Sequence, residues 1–446
     1  MCRWPTAGRH PRMTHDSLRR PSYGAHSPVV GKRGARTRQR ILDAALTLIE
    51  RDGLHDVHVD DIAAAAQVSR ATLYQYFDSK QQVFAVLLEE CGSALVDVLD
   101  RLGPLGPTAK GLENLYRWLG QWTAVYDRYA VLFAQWAQLE WSGTPLREGV
   151  ARFVEQYASR IDEQLESAGS GGAGRADTAI AVTLTVHRSN AFLRSDPEAT
   201  AGMTDEEVLG NLAVILQLVM FPETPSHVLA TRGTYGAART VVPPPPRERE
   251  DRFADRSDRV RGTVRQLLDA AARCLELRGY AGTSIDDIAG EGGVTRSAVY
   301  LYFTDKLDLL ETLAQEGSAE LRAVVERMPA SLTPPLLSAW LIEYVTAYRR
   351  HSGVVQVWTQ EQTSSPVVRQ AGREVGAVVM RAVATLLTGV RRTYPLDLRV
   401  GVVVMAALLE RLPHGLAVRT TEVSVEEVAT TMAAVIVNGL LNPGRG

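Results

Sequence analysis

The chain has 446 residues, of which 45% are hydrophobic and 22% charged, and its formal net charge is −2. That length predicts two to four domains, since one domain takes roughly 100–200 residues. The near-neutral balance gives no support for nucleic-acid binding through total charge, so such a function must rest on local patterns. The apolar stretches are shorter than the roughly 20 residues of a membrane span, and no signal-peptide core is present. We therefore expect a cytoplasmic protein.

The three cysteines and nine histidines form no C-x-x-C pair and no cluster at metal-ligand spacing. We therefore expect no disulfide framework, no metal site and no cofactor. No nucleophile, general base and orienting group can be assigned together either. The sequence thus predicts a protein that is not an enzyme, and no catalytic residue is assigned.

Residues 1–34 are rich in arginine, contain a single acidic residue, Asp16, and show no apolar period. This pattern predicts a disordered basic arm. The arm can contact DNA phosphates or enter a minor groove. It can equally be a solvated tail, or an over-extended start, since a second methionine stands at position 13.

Residues 35–92 are predicted to form a helix-turn-helix domain. A helix is expected over about Val59–Ala66, with acidic residues in its first turn that complement the helix dipole. A tight turn follows, and Ser69 is a good N-cap for a second helix over Arg70–Phe77. Two short helices joined in this way, behind a longer first helix, form the motif whose second helix enters the DNA major groove.

Residues 93–223 show long amphipathic or nearly all-apolar helical patterns, which predicts a helical domain. Its segment TDEEV, from Thr204, has the capping pattern that opens a helix. Aromatic side chains recur in this domain at three- and four-residue spacing, and they fit either core packing or an apolar ligand pocket. Residues 224–258 contain VVPPPP and a charged run, which predicts a flexible linker of roughly 35 residues spanning about 30–35 Å.

The chain contains an internal duplication, since Tyr74 in RATLYQYF and Tyr300 in RSAVYLYF are 226 positions apart within matching segments. A period of this size indicates duplicated domains and not a solenoid. Residues 259–317 are therefore predicted to form a second helix-turn-helix domain, and residues 318–446 a second helical domain that repeats the capping pattern in SVEEV. The segment EGGV at 291–294 places two glycines near the turn, which predicts a looser second motif.

The segments DIAAAAQVSRATLYQYFDSKQQVF, from Asp61, and DIAGEGGVTRSAVYLYFTDKLDLL, from Asp287, resemble the N-terminal signature of the TetR (tetracycline repressor) family. The resemblance covers both N-terminal modules closely, and the C-terminal halves only in helical character, length and a few aromatics. It implies an all-α fold of two tandem units. Each unit would have an N-terminal DNA-binding domain and a C-terminal domain that binds a small effector and dimerises through its last two helices.

The resemblance also implies roles for individual side chains of the second helix of each motif, the recognition helix. Helical geometry separates an inward from an outward face of that helix. The residues expected to hold DNA phosphates are Ser69, Arg70, Thr72, Tyr74, Lys80, Thr295, Arg296, Tyr300 and Lys306. Those expected to face base edges are Ala71, Gln75, Ser297 and Leu301. The candidate effector-pocket residues are Trp118, Trp122, Tyr126, Trp136, Trp340, Tyr344, Tyr348 and Trp358.

These observations predict a ligand-responsive transcriptional regulator, a repressor, that binds a double-stranded DNA operator and an unidentified small molecule, with no membrane partner. The two units would form an intramolecular pseudo-dimer, with a homodimer as the alternative. Because Ala71 and Gln75 correspond to Ser297 and Leu301, we expect an imperfectly palindromic operator. Two other readings stay open: an architectural DNA-binding protein without sensing, and a sensor with only one competent DNA-binding module.

Overall fold

The computed structural model describes residues 32–53, 56–133, 145–169, 174–238, 253–329, 333–359, 365–415 and 423–442. Every secondary-structure element named in these ranges is helical, apart from one isolated parallel bridge between Gly236 and Asp397. The prediction of an all-α fold is therefore confirmed. Within the same ranges, no helix is both long enough and apolar enough to span a membrane. Most of the predicted basic arm, residues 1–31, lies outside the described residues.

The chain divides into two compact units, one ending at Cys91 and one beginning at Gly92. The first unit holds the first helix-turn-helix. Its helices are α1 (Lys32–Asp52), α2 (Val59–Ala65), α3 (Arg70–Tyr76) and the first part of α4 (Lys80–Leu99). Helix α1 ends at Gly53, whose φ of 82° lies in the left-handed region that glycine adopts at low cost.

The second unit holds the first helical domain and the whole second repeat. From the first repeat it contains α5 (Ala109–Arg128), α6 (Pro145–Ser167), α7 (Arg175–Ser195), a 3₁₀ turn (Pro197–Thr200), α8 (Asp205–Met220) and α9 (Ser226–Leu229). From the second repeat it contains α10 (Asp258–Arg278), α11 (Ile285–Glu291), α12 (Arg296–Val299), α13 (Lys306–Glu326), α14 (Pro334–Arg350), α15 (Ser352–Thr359), α16 (Pro366–Gly389), α17 (Leu398–Gly415), α18 (Val425–Ile436) and a π-helical turn (Val437–Leu441).

The two capping patterns open corresponding helices, as predicted. The backbone N–H of Glu207 donates to Thr204 Oγ1 at 3.2 Å, and the N–H of Thr204 donates to Glu207 Oε2 at 2.8 Å. Ser424 and Glu427 repeat this exchange at 3.1 and 2.8 Å. Reciprocal capping satisfies two backbone donors that the first turn leaves unpaired, so α8 and α18 begin at equivalent places in the two repeats.

Helices α7 and α8 of the first repeat pack against α17, α18 and the π-helical turn of the second repeat. Helix α8 is buried from Asn211 to Met220, which explains its nearly continuous apolar sequence. The backbones approach closely at Gly439, where a Cβ would lie 2.6 Å from Val219 Cγ2. The interior of this unit is therefore a helical core built from both halves of the chain.

The structure differs from the predicted flexible linker at its start, since residues 224–238 are folded. Val228 and Leu229 of α9 are buried, and the N–H of Leu398 donates to the carbonyl of Gly236 at 2.9 Å. The sequence shows no helical period here, because one four-residue helix and a bridge leave no periodic signature. At the other end, Phe253 stacks edge-on against Phe303 at 5.8 Å. Residues 239–252, with the proline run, lie outside the described residues.

Candidate functional site

The recognition helices of both motifs begin with a side-chain cap. Ser69 Oγ accepts the backbone N–H of Thr72 at 3.0 Å, and Thr295 Oγ1 accepts that of Ala298 at 3.2 Å. A cap of this kind is worth about 1 kcal/mol. It sets the first turn of each short helix, from which the predicted DNA-facing side chains project.

The two faces of each recognition helix are separated as the sequence predicts. In the first motif Leu73 and Phe77 are buried, and Tyr76 is half-buried, while Arg70, Ala71 and Tyr74 are exposed. The second motif buries Val299 and Phe303 and exposes Arg296, Ser297, Tyr300 and Leu301, whereas Gln75, the equivalent of Leu301, is half-buried. Solvated phenol rings and guanidinium groups stand on one side of each motif, and a small apolar core lies on the other.

An Asp, an Arg and a Tyr form the same arrangement in both motifs. Arg70 Nη1 lies 2.9 Å from Asp60 Oδ2, and its guanidinium carbon lies 5.6 Å from the centre of the Tyr74 ring. In the second motif the equivalent distances are 2.7 Å to Asp286 and 5.8 Å to the Tyr300 ring, for the guanidinium of Arg296. Each arginine is therefore held over its tyrosine by an acidic residue of the preceding helix.

These ion pairs are open to solvent. About 60% of the side-chain surface is accessible in each partner, with 61% for Arg70 and 62% for Asp60. Contact with Tyr74 first, and then with Asp60, raises the pKa of Arg70 above its ordinary value, so its charge is permanent. Exposed pairs contribute little to stability, about 0–1 kcal/mol. The arginines are thus positioned but weakly held.

The turn between the two helices differs between the motifs. Gln67 has a φ of 53°, the left-handed region that is costly for residues other than glycine, whereas Gly293 occupies the equivalent position with a φ of 63°. Gly293 therefore lies in the turn, where glycine is favoured, and the expected helix cost does not apply to it. The strained turn is therefore in the first motif, and a looser second motif stays a prediction.

The second recognition helix is the shorter one. Helix α3 extends to Tyr76, whereas α12 ends at Val299 and continues as tight turns, with the N–H of Tyr302 donating to the carbonyl of Val299 at 3.0 Å. The β-branched Val299 stands where the first motif has Leu73, and valine is the weaker helix former. Leu301 is consequently presented from a turn, with 78% of its surface exposed, whereas Gln75 is half-buried on a helix.

The two lysines expected at phosphates are half-buried at the starts of α4 and α13. Lys306 Nζ donates to the carbonyls of Tyr280 and Thr283, at 2.7 and 2.8 Å, and lies 4.1 Å from the centre of the Tyr280 ring. Burial lowers the pKa of Lys306. The structure therefore shows a bracing role for Lys306 that the sequence did not reveal. A phosphate contact for Lys80 or Lys306 stays a prediction.

The candidate pocket residues of the first repeat lie in packed surroundings. Trp118, Trp122 and Tyr126 are buried. The ring centres of Tyr126 and Phe133 lie 4.8 Å apart, and His187 lies 5.4 Å from Phe133. Burial, and then the charge of Arg411, lowers the pKa of His187 to about 3. This is an aromatic cluster with a neutral histidine. Trp136 lies outside the described residues.

Three of the four aromatics named in the second repeat surround a cavity of about 430 Å³: Tyr344, Tyr348 and Trp358. The fourth, Trp340, lies behind Tyr344, with the two ring centres 5.4 Å apart, and donates its indole N–H to the carbonyl of Val324 at 2.9 Å. Helix α7 of the first repeat also reaches this cavity and contributes Arg188 and Phe192 to its wall. The sequence could not reveal that contribution, because it depends on packing between the two repeats.

The described residues include no cluster of His, Cys, Asp or Glu suited to a metal ion. The features that stand out are two helix-turn-helix motifs with exposed arginine and tyrosine, and one cavity built by both repeats. This arrangement defines a duplicated helix-turn-helix protein with helical companion domains.

Comparison with known proteins agrees with that class. The profile described as "Bacterial regulatory proteins, tetR family" matches residues 41–87 and 267–313. The chain is similar to the "Putative mycofactocin biosynthesis transcriptional regulator MftR" of Mycobacterium tuberculosis, with 43% identity over 58 residues. That match covers 13% of this chain and 29% of MftR. The chain belongs to the TetR family and carries two TetR-like units in tandem.

Two further relatives show how far the similarity extends. The "HTH-type transcriptional regulator EthR" of Mycolicibacterium smegmatis is 27% identical over 204 residues, which is 42% of this chain and 90% of that protein. The "Biofilm operon icaADBC HTH-type negative transcriptional regulator IcaR" of Staphylococcus epidermidis is 27% identical over 99 residues, 22% of this chain and 52% of that protein. The chain thus matches only about half the length of IcaR. The crystal structure of a TetR-like transcriptional regulator from Rhodococcus sp. RHA1 aligns with this chain at 22% identity and a TM-score of 0.33. The alignment covers 42% of this chain and 94% of the Rhodococcus chain.

Proposed function

We propose that the protein is a DNA-binding transcriptional repressor of the cytoplasm, which binds one operator through both of its helix-turn-helix motifs. The observation that carries this proposal is the repeated arrangement of an acidic residue, an arginine and a tyrosine on the exposed face of each motif. The IcaR and EthR relatives, named as a negative transcriptional regulator and a transcriptional regulator, agree with it.

The weak hold on each arginine suits phosphate binding. A phosphate can take the place of Asp60 or Asp286, because an exposed pair loses little when it exchanges one oxygen partner for another. Tyr74 and Tyr300, with 40% and 45% of their surfaces exposed, stand beside the guanidinium groups and can donate a second hydrogen bond to the same strand. Arginine and tyrosine would thus fix the register of each motif on DNA.

Base selection would differ between the two motifs. Gln75 can pair with an adenine edge, whereas Leu301 can contact a thymine methyl group, and the two are presented from different backbones. We therefore propose an imperfectly palindromic operator, with one half-site for each motif.

The two repeats are proposed to form an intramolecular pseudo-dimer. Contacts between α7–α8 and α17–α18 support it. These are the last two long helices of each helical domain, through which the family resemblance implies dimerisation. Polar contacts support it too. Asn211 Oδ1 accepts the N–H of Asp397 at 2.8 Å, and Asn442 Nδ2 donates to the carbonyl of Pro222 at 2.9 Å. Covalent connection of the repeats gives such a contact a high effective concentration, so one chain would occupy one operator.

The deciding experiment is capture of genomic DNA fragments by the purified full-length chain, followed by titration of the recovered site. We expect an imperfect palindrome, a monomer mass by light scattering and one chain per site. Y74A and Y300A should each weaken binding, since both motifs contact DNA. Failure to enrich any site would overturn the repressor proposal. A strictly symmetric site, a stable dimer with four motifs, or indifference to Y300A would each overturn the corresponding part.

A further inference from the structure

The cavity of about 430 Å³ has an uneven distribution of charge. Among the described residues of its wall are three arginines and a single acidic residue, Glu410. That acid already forms an ion pair with Arg188 across the two repeats. Its backbone carbonyl also accepts the hydroxyl of Tyr348 at 2.6 Å. The described wall therefore offers no carboxylate that lacks a cationic partner.

The other two arginines lie one helical turn apart on α16. Residues four positions apart share a helix face, so Arg369 and Arg373 enter the wall from the same side. Arg369 is half-buried and Arg373 is exposed, which places them towards the opening of the cavity. Arg373 Nη2 donates to Gln370 Oε1 at 2.8 Å, a neutral partner that leaves its charge in place.

The other described residues of the wall are mostly apolar or aromatic. Leu321, Val355 and Val379 contribute aliphatic surface. Trp358 lies against Gly372, where a Cβ would be 2.9 Å from the indole Cγ. A Cβ at Gly376, one turn further along α16, would meet no atom within 4 Å, so this glycine borders open space.

We propose that this cavity binds an amphipathic anion, with an aromatic or aliphatic body between Trp358 and the aliphatic wall and an acidic group at Arg369 and Arg373. Arginine is suited to carboxylate or sulfonate groups because its planar fork donates two parallel hydrogen bonds. A cationic ligand would face like charges, and the described part of the wall has no spare carboxylate to offset them. A volume in the range of roughly 300–1,000 Å³ is typical of small-molecule sites.

The site belongs to both repeats, and this gives the ligand a means of regulation. Arg188 and Phe192 come from α7, whereas the other described residues of the wall come from the second repeat. The guanidinium carbon of Arg188 lies 4.5 Å from the centre of the Phe192 ring. A bound anion would attract Arg188 and weaken its pairing with Glu410, and so would act on a contact that joins the two halves. This regulatory step rests on the proposed function, whereas binding of the anion does not.

The test uses two fluorescent probes of similar shape on the full-length chain. The anionic probe is 8-anilinonaphthalene-1-sulfonate, and the neutral probe is N-phenyl-1-naphthylamine. We expect the anion to bind at least about tenfold more tightly, a difference of about 1.4 kcal/mol. The double variant R369Q/R373Q should lose that preference and keep its affinity for the neutral probe. G376L should weaken both probes, because its side chain enters the cavity.

The matched control is R381Q, since Arg381 lies on the same helix outside the wall and faces Glu326 at 4.0 Å. It should change neither affinity. Equal affinity for both probes, or anion binding unaltered in R369Q/R373Q, would overturn the proposal. Circular dichroism melts establish that each variant is folded. Titration of the operator in the absence of probe separates the two proposals. If the full-length chain prefers the anionic probe but does not bind DNA, only the repressor function is contradicted.

Discussion

Gly353 of α15 is in direct contact with Leu275 of α10, the first helix of the second helix-turn-helix domain. A Cβ at position 353 would lie 2.9 Å from Leu275 Cβ and 2.8 Å from the backbone nitrogen of Glu276. Val355 and Trp358, on the same short helix, line the cavity. One eight-residue helix therefore touches a DNA-binding domain on one side and the proposed ligand site on the other.

Replacing Gly353 by alanine should separate these two helices. The added methyl group meets backbone atoms that cannot move aside, so we expect the free energy of unfolding to fall by about 1–3 kcal/mol. Affinity for the operator should fall as well, because α10 would shift. Urea unfolding and fluorescence anisotropy measure the two effects. G262A is the control, since Gly262 lies in α10 with open space around it, and alanine there should stabilise the helix by about 0.5–1 kcal/mol.

Gln67 and Gly293 should respond in opposite ways to exchange. G293Q places a side chain in the left-handed region and is expected to destabilise the second motif by about 1–2 kcal/mol. Q67G relieves the same strain but increases the freedom of the unfolded chain, so its effect should be within about 1 kcal/mol of zero. Thermal unfolding of both variants provides the comparison. A larger loss for Q67G than for G293Q would contradict the assignment of strain to the first motif.

This pair of residues illustrates what the sequence could and could not predict. The repeated octets and the residues around them predicted both motifs, the Ser69 cap and the two faces of each recognition helix, because helical periodicity and capping are local properties. The sequence shows that position 293 is a glycine but does not give its φ angle, so Gly293 by itself suggests a residue that destabilises the helix. The folded segment around Val228 and the contribution of Arg188 to the cavity were missed for a related reason, since both depend on contacts between distant parts of the chain.

His187 should make stability depend on pH. Its pKa is about 3 in the folded protein, against an ordinary value of about 6.5 in the unfolded chain. Between these values the unfolded chain binds a proton that the folded protein excludes. The free energy of unfolding should therefore fall with decreasing pH, by up to about 1.4 kcal/mol per unit.

The matching experiment is urea unfolding at pH 7, 6 and 5. H187F keeps a ring against Phe133 and removes the titrating group, so the difference in stability between pH 7 and pH 5 should shrink. An unaltered pH dependence in H187F would rule out this histidine as its source.

The contact between Gly236 and Asp397 should govern the association of the two repeats. A Cβ at position 236 would lie 1.9 Å from Asp397 Oδ2, and Asp397 is fully buried and receives two hydrogen bonds from the side chain of Arg399 at 3.0 and 2.7 Å. G236A should displace this bridge and expose the segment 224–238. We expect faster proteolysis within that segment and a less cooperative unfolding transition. Unchanged cleavage would indicate that the bridge contributes nothing to holding the segment.

Asp60 and Asp286 should restrain binding to non-specific DNA. Each carboxylate lies next to the arginine that is proposed to hold a phosphate, so it both positions that arginine and repels the DNA backbone. D60N/D286N removes two negative charges and keeps the shape of the side chains. Because phosphate contacts dominate non-specific affinity, we expect binding to a random duplex to strengthen by roughly two- to fivefold for the double variant. Affinity for the operator should rise less, since the register of the motif on the operator depends on the positioning of the arginines that is lost.

Anisotropy titrations at two salt concentrations distinguish this effect from unfolding, because a charge effect shrinks as salt rises. Weaker binding to the random duplex would mean that the carboxylates serve to orient the arginines and do not oppose DNA.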